Sequence, residues 1–365
     1  MEHIHRGKGA KSRDLSPMDM SLNRVKYYQF NNFNNVPLLP NSRKKSFVKG
    51  KIMKQLFIFM TIFIVSCSSD TSENKPVPPD YEKVEYHNDY QIGSYTSSSW
   101  GFDTNSYWIE GPDGVVLIDT QFLPSAANEA VDIAESVTGK KVVMAIVLHA
   151  NPDKFNGTAT LKARGIRVVS SKQVVELIPQ IDKHRRDWFY DRYEPDYPEK
   201  LVLPEALWDK TQEFEVAGLR LKAYIIRGAV SDAHLLIGLD DHLFVGDLLV
   251  NKYHSWMELG KSKEWLARLT EIKKFVNPKV IHPGRGYAMG GDTLLDQQEA
   301  YLRFIKKTIS DFYTGGAITE HDKKDIIKAI TDKYPDYGFD YFLNIGISAE
   351  WEQIRQKDHE MMMTE

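Results

Sequence analysis

The stretch Val147-Leu-His149-Ala-Asn151-Pro-Asp153-Lys154-Phe-Asn156-Gly157 sets imidazole, carboxamide, carboxylate and ammonium groups side by side, directly after the apolar run from Val142 to Leu148. A short Val/Ile/Leu run of this kind reads as a buried strand, and the carboxyl ends of such strands are where α/β sheets usually place their chemistry. Histidine and aspartate so close together can hold a metal ion or exchange protons. Two later stretches have the same form, an apolar run ending in polar groups: Leu243-Phe-Val-Gly246-Asp247 and Val280-Ile-His282-Pro283-Gly284-Arg285-Gly286. The cations among these residues, Lys154 and Arg285, favour pairing with carboxylates over proton abstraction, because a lysine beside carboxylates is stabilised in its charged form.

These stretches resemble the metallo-β-lactamase superfamily, whose hallmark at this strand end is His-x-His-x-Asp-His followed by a glycine-containing turn. Here the six positions read His149-Ala150-Asn151-Pro152-Asp153-Lys154. The resemblance runs over roughly residues 90 to 315. It includes a hairpin from Asn105 ending in Ile-Asp119-Thr120, then Arg227-Gly228-Ala229-Val230-Ser231, Gly246-Asp247 and Pro283-Gly284-Arg285-Gly286, in the family's order. It implies an α+β fold, an αββα sandwich of two mixed β-sheets flanked by helices.

The family binds zinc, and carried over residue by residue its ligand positions fall on His149, Asp153 and Asp247 as the expected types. Asn151 and Lys154 stand where the family has histidines, Ala229 falls where another is supplied, and Arg285 replaces the histidine of Pro-Gly-His-Gly. Neither zinc site keeps a full ligand set. Lys154 and Arg285 also put cations where a dication would lie; at ~4 Å, one pair of unit charges costs about 4 kcal/mol at an effective dielectric near 20, and a dication doubles that. The expectation is that they stand in for metal by pairing with Asp153 and Asp247, so that no cofactor is needed. The alternative is zinc on the remaining His149, Asp153 and Asp247, completed by a histidine such as His234 or His282 if the loops differ from the family's.

The chain has 365 residues, 42% of them apolar and 12% aromatic, with a formal net charge of −3. No basic face interleaved with aromatics appears, so nucleic acid is not an expected partner. Residues 1–52 are polar and without periodicity, which reads as disorder or an over-extended start. Residues 53–67 have a short basic start, an apolar core from Leu56 to Val65 and Ile64-Val65-Ser66-Cys67, resembling a bacterial lipoprotein signal with lipid carried by Cys67. The core is too short to span a bilayer comfortably, which takes about 20 residues. Cys67 is the single cysteine, so no intramolecular disulfide or cysteine cluster can form. Residues 68–80 read as a flexible tether, 81–315 as the family-like domain and 316–365 as a helical extension packed on it. The expected location is the cell envelope, anchored through Cys67, in the outer membrane of a Gram-negative bacterium.

Around the motifs, a helix is expected after Ser125 as N-cap, closed by Gly139. Residues 172–207, dense in charge and aromatics around Arg185, Arg186, Trp188, Tyr190 and Tyr193, are read as a solvated helix whose aromatics pack on the body; the alternative, implied by the resemblance, is that this region overhangs the site and these residues touch a ligand. Strands are expected at 213–216, 219–226, 235–239 and 243–245, an amphipathic helix from Ser262 to Phe275, and helices at 294–313, 319–334 and 348–358, with Met361 to Met363 as a frayed tail. Beyond Asp247, Asn251, His254 and Trp256 lie in a loop expected to line the same cleft, with His254 as a candidate polar contact.

Three functional classes follow. The favoured one is a metal-independent binder of a small anionic ligand through Asn151, Lys154, Arg285 and His254. The others are a zinc hydrolase of β-lactam, lactone or thioester bonds, and a surface interaction protein.

Overall fold

The structure is a computed structural model and describes residues 83–86 and 90–364. The expected leader, Cys67 and tether lie outside those residues.

Two mixed sheets form the centre. The first contains β1 (Lys83–Tyr86), β2 (Gln91–Thr96), β3 (Asn105–Gly111), β4 (Gly114–Ile118), β5 (Val142–Ile146), β6 (Arg167–Ser171) and β7 (Glu205–Trp208), paired in that order. Pairing is antiparallel from β1 to β4 and parallel from β4 to β7. The parallel part needs helical crossovers, and it has them: α1 (Pro124–Thr138) lies between β4 and β5, α2 (Pro152–Phe155) and α3 (Thr158–Ala163) between β5 and β6, and α4 (Lys172–Tyr193) between β6 and β7. Buried on both faces, β4 is the continuous apolar run Gly-Val-Val-Leu-Ile.

The second sheet contains β8 (Gln212–Val216), β9 (Leu219–Arg227), β10 (Ala233–Leu239), β11 (His242–Gly246), β12 (Val280–Pro283) and β13 (Met289–Gly290) in the order β13-β12-β11-β10-β9-β8. Only β11 and β12 run parallel. Along β9 the buried Leu219, Leu221 and Ala223 alternate with Arg220 and Lys222, the period-2 pattern of a strand with one wet face. The sheets pack face to face where Tyr107 of β3 meets Phe244 of β11 at 5.5 Å and His282 of β12 at 5.0 Å.

Helices α5 (Ser262–Glu271), α6 (Gly291–Phe312), α7 (Glu320–Lys333) and α8 (Tyr341–Thr364) pack against the second sheet. One apolar cluster joins Leu236 and Val245 of the sheet to Trp265, Leu302, Ile330 and Trp351 of the helices.

Local departures from expectation have simple causes. α1 starts two residues early, with Pro124 in its first turn and Leu123 as N-cap; the Ser125 hydroxyl and N–H instead bind Asp196, and Gly139 closes the helix with φ 68°. The helix begun at Ser262 ends as a π turn over Ile272–Val276, closed by Asn277 in the left-handed region. Thr319 caps α7 through a full capping box with Asp322. The last helix is much longer than expected: α8 starts at Tyr341, and Met361 to Met363, though exposed, are helical rather than frayed.

Candidate functional site

The site forms where β4 and β5 of one sheet and β11 and β12 of the other end together. Asp119 follows β4 with φ 63°, and its Oδ1 accepts the Leu148 N–H at 2.8 Å, tying the two strand ends. The main chain beyond β5 then delivers His149, and α2 carries Asp153 and Lys154 inward. Asp247 follows Gly246, and Arg285 follows Pro283-Gly284. Close backbone approach explains Gly284: a Cβ there would lie 2.1 Å from Asp247 Oδ1.

Lys154 has no solvent exposure, and its Nζ lies 3.0 Å from Asp247 Oδ1, 3.2 Å from Asp153 Oδ2 and 4.0 Å from Asp119 Oδ2. Nζ makes no well-angled hydrogen bond, so these are charge contacts more than directed bonds. Arg285 completes the lattice. Its Nη1 lies 2.6 Å from Asp247 Oδ2, its Nη2 donates to Asp153 Oδ2 at 2.7 Å, and its Nε donates to the Phe102 carbonyl at 2.9 Å. Thr104 adds a hydroxyl donor to Asp153 Oδ2 at 3.1 Å. His149 Nε2 stands 3.7 Å from Asp247 Oδ2, too far for a hydrogen bond, and neither of its ring nitrogens has a partner.

The electrostatics follow from this geometry. Burial alone would raise the Asp247 carboxyl, but Arg285 and then Lys154 hold it well below the ordinary carboxylate range. Burial would likewise lower Lys154, yet Asp153, Asp247 and Asp119 together raise it, so it stays charged. The same two aspartates outweigh burial and raise Arg285. Asp119 is the exception: burial pushes it up to about 7, only partly opposed by Lys154 and His149. The sequence reading left Asp119 out of the site, although its position after an apolar run was the available signal.

Zinc, which the family resemblance implies, does not fit these side chains. The Lys154 ammonium and Arg285 guanidinium already contact the carboxylate oxygens of Asp153 and Asp247 that would turn toward an ion. Among the described residues, no group of three or more His, Cys, Asp or Glu is placed to hold a metal. His282 makes a buried contact with His242, 2.9 Å between ring nitrogens, and does not complete the set. His234 lies closer, its ring 5.0 Å from that of His149, and its Nε2 accepts the Ser231 N–H.

Above the charged floor is a cavity of about 40 Å³ walled by Phe102, Phe122, Phe189, Trp256 and Phe342, with Asn151 at its edge. Arg185 also lines it, so for this residue the overhanging alternative holds in place of the solvated face. Arg185 is buried because its guanidinium pairs with Glu258 and stacks between Trp188 and Trp256, at 4.5 and 5.1 Å from their ring centres. Arg186, by contrast, binds Asp182 and the Pro198 carbonyl, and Tyr190 and Tyr193 pack on neighbouring rings, as expected of aromatics resting on the body.

His254 is not brought to the cleft. It is buried under the C-terminal helices, with Nδ1 2.9 Å from Tyr301 Oη and Nε2 3.3 Å from Asp340. Of the residues expected to line the cleft from this loop, Trp256 does so, and Phe342 from α8, which carried no chemical signal in the sequence, joins it.

A family model described as the metallo-beta-lactamase superfamily matches residues 100–285. A metallo-beta-lactamase type 2 from Bacillus cereus is 31% identical over 74 residues, 20% of this chain and 29% of that protein; one from a Bacillus species is 30% identical over the same shares. The match thus spans less than a third of the length of these curated relatives. Among solved structures, a double mutant of the sec-alkyl sulfatase PisA1 superimposes with a TM-score of 0.56 at 18% identity, covering 76% of this chain and 50% of that one. A metallo-beta-lactamase from Pontibacter korlensis aligns at a TM-score of 0.48 and 18% identity over 61% of this chain and 99% of its own. With the family match running from the first hairpin to Arg285 itself, and two mixed sheets flanked by helices beneath it, the chain belongs to the metallo-beta-lactamase superfamily.

Proposed function

We propose that this protein is a metal-independent member of its superfamily whose cleft binds a small, uncharged molecule. One observation carries the reading: Lys154 and Arg285 together contact both carboxylates that a metal would need, at 2.6–3.2 Å and away from solvent. Admitting zinc would set a dication against two buried cations that already occupy the carboxylate oxygens.

The charge balance also revises the expected ligand. An anion was expected on the premise that Lys154, Arg285 and His254 are free to receive it. Instead, Lys154 and Arg285 are each held by two aspartates, Arg185 is held by Glu258, and His254 lies elsewhere. Leaving His149 aside, four carboxylates (Asp119, Asp153, Asp247, Glu258) face three cations (Lys154, Arg185, Arg285), a balance of 3 − 4 = −1 that moves toward zero as Asp119 takes up its proton. An anion would have to displace a carboxylate, whereas a neutral group would not. The aromatic walls suit an apolar body, and the Asn151 amide at the edge suits one polar contact. A cavity of about 40 Å³ compares with roughly 10–15 Å³ for one water, so only a few heavy atoms enter without rearrangement.

A second reading, zinc-dependent hydrolysis, has one observation in its favour: the unpartnered ring nitrogens of His149, with the His234 ring beside them. The two readings separate in one experiment. Metal content is measured by mass spectrometry on the full chain, purified without chelator and again after zinc supplementation, with melting temperature recorded in parallel. The metal-independent reading expects far less than one zinc per chain and an unchanged melting temperature. Near-stoichiometric zinc that raises the melting temperature would overturn it and favour the hydrolase. Lipid attachment at Cys67, and with it an envelope location, belongs to the same proposal and rests on the sequence of residues 53–67 alone.

A further inference from the structure

A second concavity lies behind the cleft, on the far side of the Phe102–Asp103 and Arg285–Gly286 segments. It is an open groove of about 830 Å³, within the range of ligand pockets, roughly 300–1,000 Å³. Four distant parts of the chain build it: the turn between β2 and β3, the loop after β11, the loop after β12, and the segment between α7 and α8.

Its walls are fixed before any ligand arrives. Tyr253 Oη donates to Asp103 Oδ2 at 3.1 Å, joining two of the four parts. Asn105 Nδ2 donates to the Gly286 carbonyl at 2.7 Å, and the Gly338 N–H donates to the Lys252 carbonyl at 3.0 Å. Gly286, with φ 76°, packs so closely that a Cβ would lie 2.2 Å from the Asn251 carbonyl oxygen. Asp103 and Lys252 are both held at positive φ, 47° and 59°, a backbone state that non-glycine residues keep only when their surroundings enforce it.

The lining has a distinct chemistry. Tyr287, 59% exposed, lines the groove together with the exposed Ser98 and Ser99. Exposed charge amounts to one Lys252 and one Asp336, of opposite sign, and the half-buried Asp103 carboxyl is engaged by the Tyr253 hydroxyl. An aromatic face with hydroxyl partners and little net charge complements a molecule that has apolar C–H faces and a hydroxyl edge. A peptide is a poorer match, because the strand bordering the groove, β13, offers only two residues for main-chain pairing.

We infer that this groove is a binding site for a neutral oligosaccharide, with Tyr287 as the stacking platform for a sugar ring. The site is separate from the cleft and does not depend on how the cleft is used.

Isothermal titration of the full chain with cellotetraose, with its N-acetylated counterpart chitotetraose and with tetra-alanine tests the inference. Saturable binding of at least one sugar and not of the peptide is expected, weakened about ten-fold or more in Tyr287→Ala. The exposed position of Tyr287 predicts an unchanged melting temperature for that variant, so lost binding would not reflect lost fold. No saturable binding of either sugar up to about 10 mM, binding of the peptide instead, or sugar binding equal in Tyr287→Ala overturns the assignment.

Discussion

Lys154 shows how much depends on one side chain. A lysine is rarely buried, and desolvating its ammonium is costly unless partners compensate. Here Asp153 and Asp247 lie on either side, and Arg285 bridges the same two carboxylates from beyond. Lys154→Met keeps the length and apolar stem but leaves Asp153 and Asp247 to Arg285 alone and removes the ammonium beside Asp119. We expect a loss of about 3–5 kcal/mol in urea denaturation, the cost of breaking a buried pair from one side. A change under about 1 kcal/mol would mean that the ammonium is not needed to hold the carboxylates. The sequence displayed this residue plainly, as a cation where the family carries a histidine, because identity is a local property. It showed Asp119 at the end of an apolar run but not its contact with Lys154, which depends on how two neighbouring strand ends are stacked.

Elements decide which residues share an environment. α4 carries Arg185 into the cleft because the segment after β11 places Glu258 and Trp256 against it, although its charge-rich sequence reads as a solvated face. The same segment turns His254 the other way, into a pocket with Tyr301, Tyr337 and Asp340. Burial lowers the His254 imidazole to about 4, with Asp340 opposing only in part. Its unfolded value is near 6.5, so the unfolded chain binds this proton first as pH falls. The stability His254 contributes is therefore complete above about pH 6.5 and is lost between there and about pH 4, roughly 3 kcal/mol in all. Buried His234 and His282, also lowered well below the ordinary value by burial, act in the same direction. Asp119, raised to about 7, acts in the opposite one, losing stability as pH rises from about 4 to about 7. Three groups against one predict net acid destabilisation, and His254→Asn should flatten it. Unfolding free energies across about pH 4.5 to 7.5 provide the check: stability that climbs on acidification would show that Asp119 dominates.

At the scale of the whole molecule, the C-terminal helices form part of the site as well as a cover. Trp351 of α8 is 1% exposed, joins the cluster that covers the second sheet and donates its indole N–H to the Gly316 carbonyl at 3.0 Å, while Phe342 of the same helix walls the cleft. Trp351→Ala should therefore cost about 3–5 kcal/mol in urea denaturation, the usual price of emptying an aromatic site in a core; a loss below about 1 kcal/mol would show α8 to be only loosely docked. The strands with period 2 or continuous apolar runs, the helices closed by Gly139 and capped by Thr319, and the strand-end motifs with Lys154, Asp247 and Arg285 were all legible in the sequence. Each of these depends on neighbours a few residues apart, and so does the replacement of the family's histidines. The tertiary structure alone decided that Arg285 meets Asp153, 132 residues away, that every cation at the cleft is already committed to a carboxylate, and that His254 faces a tyrosine cluster instead of a ligand. The physical reason is that periodicity fixes which face of an element is buried, whereas the docking of two sheets and four helices fixes what that face meets, and only the second sets the local charge balance.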